Sequence, residues 1–285
     1  MWEEGGEVDL ATRVRRLADA DHAVVLENAL ALREATISSA EAVGEAIDAG
    51  ILGPLADLLT TPNENIQVEA AWIATNIAGS NNPAHCRALF EAGFIPRFTA
   101  LLQCSPRVQE QGCWALGNCA GHDSELRAAV LEANVMEPLM TNVVPVDAEL
   151  PPVPQQRVAA WLMSNLCRGD PPPAPSLARL SPLVPVLLRL LRDADDFDTL
   201  ADTLWTLSYL VLGDGTPEEL QRLVDQLTEE SLLELVIGMM APHLWNDIRL
   251  PATRLLGNVA SVCNAPALAA LVRAGLMNQV AGTLQ

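Results

Sequence analysis

An all-α chain built as a helical solenoid is what this sequence predicts, on three observations. A Trp-x-x-x-Asn element recurs, an Ala-Gly punctuation recurs at nearly the same period, and the composition favours helix. Half of the 285 residues are hydrophobic, Leu and Ala recur throughout, only one Tyr and four Phe are present, and β-branched residues seldom cluster. A chain this long and apolar buries a sizeable core or several stacked ones, so disorder is excluded for most of it. Against 36 Asp and Glu stand 17 Lys and Arg, a formal net charge of −19. That balance argues against nucleic acid and anionic membranes as partners.

The first repeat marker reads AAWIATNIAGS around Trp72 and Asn76, GCWALGNCAG around Trp114 and Asn118, and AAWLMSNLCRG around Trp161 and Asn165. TLWTLSYLVLGDG keeps Trp205 and has Tyr209 in place of Asn; ATRLLGNVAS keeps Asn258 and has Arg254 in place of Trp. Successive intervals are 42, 47, 44 and 49 residues, close to the period of about 40 to 47 residues of armadillo and HEAT repeats. The second marker is Ala49-Gly50, Ala92-Gly93, Ala133-Asn134 and Ala274-Gly275. Gly and Asn tolerate the left-handed conformation that stops a helix. Each repeat therefore reads as a short helix, a Gly turn, a second helix such as Ile95 to Gln103, a polar turn and a long third helix bearing Trp and Asn. Three helices per repeat point to armadillo rather than HEAT. The Pro-rich stretches Pro151 to Pro154 and Pro171 to Pro175 read as loops at either end of the fourth repeat's third helix, not as domain boundaries.

On the second repeat's third helix Ile66, Ala70, Ile73 and Ile77 follow 4-3-4 spacing and define a buried stripe. Trp72 and Asn76 sit about 100° around the helix from it. Val108, Gly112, Ala115 and Cys119 repeat the pattern against Trp114 and Asn118. Stacked third helices line one concave surface, so the Trp and Asn residues are expected to form ladders beside a groove. An Asn inside a helix costs propensity. Its repetition is read first as a bond to an extended peptide's backbone and second as a tie between neighbouring repeats, and the two are compatible.

At these residues the sequence resembles importin-α, the armadillo adaptor for basic nuclear localisation signals. WALGN at Trp114 to Asn118, SNLCR at Ser164 to Arg168, LADTLWTLSYL at Leu200 to Leu210 and GNV after Arg254 follow the family's wording in its order. Tyr209 and Arg254 are also what that family shows at those places. The resemblance implies an armadillo-repeat, right-handed superhelical solenoid over residues 22–285, with about six repeats and a partial seventh, after a short tail over 1–21. It implies a major cargo site in which Trp72, Trp114 and Trp161 flank Lys or Arg stems, while Asn76, Asn118 and Asn165 hold the peptide backbone. Glu110, Asp123, Asp198 and Asp202 would supply the acids, with Trp205 and Tyr209 continuing the ladder and Arg254 and Asn258 forming a weaker, minor-site-like pair. The chemistry suits that implication. An indole face attracts a cation by roughly 0.5 to 2 kcal/mol and covers its methylenes, and a carboxamide offers both donor and acceptor.

Several positions depart from the family. His122, followed by Asp123, stands where an Asp usually binds the most discriminating lysine, and Leu212 stands where an acid is common. Arg13, Arg15 and Arg16 lie in an otherwise acidic or neutral stretch, so the Arg-rich segment that recruits importin-β is not visible. The expectation is a fragment or a shortened relative. An armadillo interaction scaffold without a transport role is the alternative function.

Cys86, Cys104, Cys113, Cys119, Cys167 and Cys263 show no C-x-x-C pair and read as small hydrophobes in a reducing compartment. No apolar run of about 18 residues and no signal-peptide pattern around Glu3, Glu4, Glu7 and Asp9 suggest a soluble, intracellular chain, and the resemblance implies one shared between cytoplasm and nucleus. No metal, cofactor or catalysis is expected: His85 with Cys86, or Cys119 with His122, lacks a second cluster at ligand spacing. Asp193, Asp195, Asp196 and Asp198 read as a solvated turn. Trp2 and Trp245 carry no pattern.

Overall fold

The computed structural model describes residues 8–170, 172–241 and 243–283; Trp2 and Pro171 lie outside them. The helices fall into two compact units, Met1–Val135 and Met136–Gln285. The N-terminal unit contains α1 (Leu10–Arg16), α2 (His22–Ser38), α3 (Ala40–Asp48), α4 (Leu52–Leu58), α5 (Glu64–Ala78), α6 (Pro83–Glu91), α7 (Phe94–Leu101), α8 (Pro106–His122) and α9 (Ser124–Glu132). The C-terminal unit opens on the short α10 (Met136–Pro138), which runs into a π-helical turn at Leu139–Val143. It continues through α11 (Val153–Cys167), α12 (Leu177–Leu180), α13 (Val184–Asp193), α14 (Phe197–Leu212), α15 (Pro217–Glu229), α16 (Leu232–Gly238), α17 (Asn246–Val262), α18 (Ala265–Arg273) and α19 (Leu276–Thr283). Three helices per repeat are the rule, and no strand forms among the described residues.

Local chemistry sets the ends of these helices. Asn63 accepts from the Ile66 N–H ahead of α5, Asn82 from Ala84 ahead of α6 and Asp196 from Thr199 ahead of α14, each satisfying an orphan donor of a first turn. Gly50, Gly93, Asn134 and Gly275 have φ of 84°, 74°, 57° and 96°, the left-handed stop expected of the Ala-Gly and Ala-Asn markers. Ser231 takes the same conformation, φ 56°, between α15 and α16. The marker was invisible in the sequence there because Ser is a poor left-handed residue.

Within the N-terminal unit α5 packs between α2 and α8; within the other, α14 packs between α11 and α17. Ile66, Ala70, Ile73 and Ile77 are all fully buried, as are Val108, Ala115 and Cys119, so the inferred stripes are the core faces. Each such Ile contributes roughly 1.5–3 kcal/mol by burial. Gly112 sits in the same stripe because a Cβ there would meet Leu101 Cβ at 3.0 Å and the Phe98 oxygen at 3.1 Å.

Three expectations change. The segment before residue 22 is not a free tail over its described part: α1 packs on α2 and α3, with Val14 and Leu17 buried. Pro151–Pro154 is not wholly loop, since Pro154 lies in the first turn of α11, where its missing N–H costs nothing. The acidic run is not merely solvated: Asp196 caps α14 and pairs with Arg157, and Asp193 pairs with Arg189 and Arg192.

Candidate functional site

In the N-terminal unit α5 presents Trp72 and Asn76, and α8 presents Glu110, Trp114 and Asn118. Trp72 is half-buried and Trp114 is 37% exposed. Trp72, Glu110 and Trp114 line one open pocket of about 350 Å³ together with Val68, Thr75, Arg107 and Gln111. Two indoles and one carboxylate around such a space match an alkyl stem carrying a cationic head. Val68 and Thr75 lie four residues before and three after Trp72, on the same helical face; that spacing was a usable signal for them.

Three of the ladder carboxamides, Asn76, Asn118 and Asn258, tie neighbouring repeats together. Asn76 Nδ2 donates to Thr36 Oγ1 at 3.0 Å and to the Arg33 oxygen at 3.4 Å on α2. Asn118 Nδ2 donates to the Thr75 oxygen on α5 at 3.3 Å, and Asn258 Nδ2 to the Ser208 oxygen on α14 at 3.0 Å. Each amide bonds the preceding third helix. A primary amide has two N–H groups and an oxygen, so one such bond leaves Asn118 with hydrogen-bonding capacity. Gly79 makes room for it: a Cβ at that position would lie 2.8 Å from Asn118 Nδ2.

Trp72 is engaged on one face by the protein itself. The Arg33 guanidinium lies 4.6 Å from its ring centroid and 3.1 Å from the Glu69 carboxylate. Burial pushes the Glu69 carboxyl up, against the pull of Arg33 and Arg107. Residues 36 apart on different helices gave no local pattern by which this pair was to be found.

Asp123 is likewise committed. Its carboxylate accepts from the Leu126 N–H at 2.8 Å as the cap of α9, pairs with Arg87 at 2.9 Å and lies 3.1 Å from His122 Nδ1. Burial raises its pKa, but those three partners outweigh it and hold the carboxyl below its ordinary value. Cys119 does not pair with His122. It is fully buried and 3.7 Å from the Cys86 sulfur.

In the C-terminal unit α11 carries half-buried Trp161 and buried Asn165, whose Nδ2 donates to the Trp161 oxygen at 3.1 Å. On α14 Trp205 and Tyr209 stack with centroids 5.9 Å apart and planes 21° from parallel. Asp202, on the same helix, is half-buried; burial first and the Asp198 charge second push its carboxyl up to about 6. Asp198 is 3.2 Å from Arg157, a residue no sequence motif singled out. The Arg157 guanidinium also forks onto Asp196, with contacts of 2.6 to 3.1 Å, and holds that carboxyl down at about 2. Exposed Arg254 on α17 forms no ion pair with Asp247; its charge reaches the Tyr209 phenol, whose pKa burial raises and Arg168 and Arg254 moderate.

A family model described as Armadillo/beta-catenin-like repeat matches residues 39–79. The chain is 32% identical to Importin subunit alpha-1b of Oryza sativa subsp. japonica over 88% of its own length and 45% of that protein's. It is 35% identical to Importin subunit alpha-2 of Arabidopsis thaliana over 70% of its own length and 36% of that protein's. It thus spans less than half the length of the curated relatives it matches. Among solved structures, an engineered protein superposes with a TM-score of 0.80 at 24% identity, covering 97% of this chain and 64% of that one. A designed armadillo repeat protein in complex with the peptide (KR)4 superposes with a TM-score of 0.71 at 23% identity, covering 88% and 99%. Those two likenesses concern the fold.

Proposed function

That this chain is an importin-α-like armadillo-repeat protein is the premise from which we propose that it is a binding adaptor for Lys- and Arg-rich nuclear localisation signals. The reading rests on one observation: two ladder tryptophans and Glu110 share a single pocket of about 350 Å³. A lysine stem lies between the Trp72 and Trp114 faces with its ammonium toward Glu110, while the remaining capacity of the Asn118 amide holds the peptide backbone. In the other unit Trp161, Asn165, Asp202, Trp205 and Tyr209 receive further basic residues, and Arg254 with Asn258 forms the weaker site. A net charge of −19 accelerates encounter with cationic peptides, an effect that salt weakens. The (KR)4 peptide bound by the designed relative belongs to the same chemical class. The relatives are named as alpha subunits of importins, so cargo proteins and importin-β are the proposed partners, and cytoplasm and nucleus the proposed locations.

A specific observation supports the scaffold reading as second. Asp123 is tied to Arg87 and His122, and Asp198 to Arg157, so two acids of the inferred cargo site already have partners. Calorimetric titration with a lysine-rich signal peptide at two salt concentrations separates the readings. Binding that weakens as salt rises, and that is mostly lost in Trp114→Ala/Asn118→Ala, is the expected result. Unchanged affinity in the double variant removes the groove from the mechanism, and no binding at either salt leaves the scaffold.

A further inference from the structure

The tryptophan ladder of the N-terminal unit has a definite end. Asn118 bonds the oxygen of Thr75, the residue before Asn76, and Asn76 bonds the oxygen of Arg33. By that register Glu34 takes the carboxamide position on α2, and Leu30, four residues earlier, takes the indole position. Both are exposed. A cation seated between α2 and α5 would therefore meet one indole face only, that of Trp72, with the Glu34 carboxylate nearby. Arg33 already lies over the Trp72 ring, 4.6 Å from its centroid. It is held there by Glu69, at 3.1 and 3.3 Å, and by the Asn76 amide, which fixes its backbone oxygen.

Building on the adaptor reading above, we infer that Arg33 is a resident occupant of the last cation seat of the ladder, a specificity-determining residue that starts the cargo register in the Trp72–Trp114 pocket. The physical reason is competition within one molecule. A tethered guanidinium on a fixed helix presents an effective concentration that a flexible peptide side chain does not match. Its counter-charge is also built in: Glu69 is nearly buried, with 10% of its side chain exposed, and an unpaired acid there is costly. Arg33 thus stays on the ring, and a basic residue placed beyond the Trp72–Trp114 pocket on its α2 side finds no free indole.

The test compares a lysine-rich core peptide with the same peptide extended by one Lys or one Ala, at each end in turn, titrated into the full chain. Arg33→Ala alone leaves Glu69 unpaired and is prone to unfold, so the variant is Arg33→Met/Glu69→Gln, its fold checked by helical circular dichroism and its melt. Wild type is expected to bind the Lys- and Ala-extended peptides alike at the end that reaches α2, where Arg33 covers Trp72. The variant is expected to prefer Lys at one end by about two- to fivefold, the value of one cation on a partly exposed indole. A merely structural role for Arg33 weakens all peptides together and leaves that ratio at one. Equal Lys preference in wild type and variant, or none in either while the core peptide still binds, overturns the inference. Failure of the core peptide to bind wild type overturns the adaptor reading instead.

Discussion

Asp202→Asn should stabilise the protein at neutral pH and weaken its hold on basic peptides. The folded chain raises this carboxyl from 3.8 to about 6, through burial first and the Asp198 charge second. The native state therefore binds the proton more tightly than the unfolded chain does, so stability is complete below about pH 4. It falls as pH climbs toward 6 and stays reduced above that. At about 1.4 kcal/mol per pH unit the full loss has a ceiling of about 3 kcal/mol, and solvent reaching the partly exposed residue lowers it to about 1–2 kcal/mol. Asn keeps the shape without the charge. Urea unfolding followed by circular dichroism should show the variant ahead by that margin at about pH 7.5 and by roughly half of it at about pH 5. The same variant should lose affinity for a lysine-rich peptide, because an arriving cation is what compensates the buried carboxylate. A margin that is equal at both pH values, or a variant less stable than wild type at neutral pH, refutes the reasoning.

Two further perturbations follow from backbone geometry. Gly79→Ala brings a Cβ to 2.8 Å from Asn118 Nδ2, so the bond to the Thr75 oxygen should break at a cost of about 1 kcal/mol; peptide affinity by calorimetry should fall several-fold while the melting temperature moves only a few degrees. Ser231→Gly relieves a left-handed residue at φ 56° and should raise stability by about 1 kcal/mol in urea unfolding, without any change in peptide affinity; a neutral or destabilising result shows that the turn is not strained.

Much of the architecture could be read from spacing alone. The 42- to 49-residue recurrence of Trp and Asn and the Gly and Asn stops each report a local property, namely helical phase in one case and a left-handed turn in the other. Such properties belong to a few consecutive residues, which is why Ile66, Ala70, Ile73 and Ile77 could be assigned to the core and Trp72 and Asn76 to its flank before any coordinates. The failures were of two kinds. Ser231 and α1 carried no diagnostic residue, since packing imposed a conformation that intrinsic preference does not advertise.

The electrostatic state of the site was not legible at all. Whether a carboxylate is open to a ligand depends on which arginine reaches it, and the partners stand 36 positions away for Arg33 and Glu69, 36 for Arg87 and Asp123, and 39 for Arg157 and Asp196. Helical periodicity determined, from sequence by itself, that this chain is a stack of three-helix repeats presenting a ladder of indoles and carboxamides. Only the tertiary structure decided that Asn76, Asn118 and Asn258 also tie the repeats together, that Asp123 and Asp198 are already paired, and that Trp72 has a cation of its own. Phase along a helix is written in neighbouring residues, whereas charge pairing is settled by distances that exist only after the helices have packed.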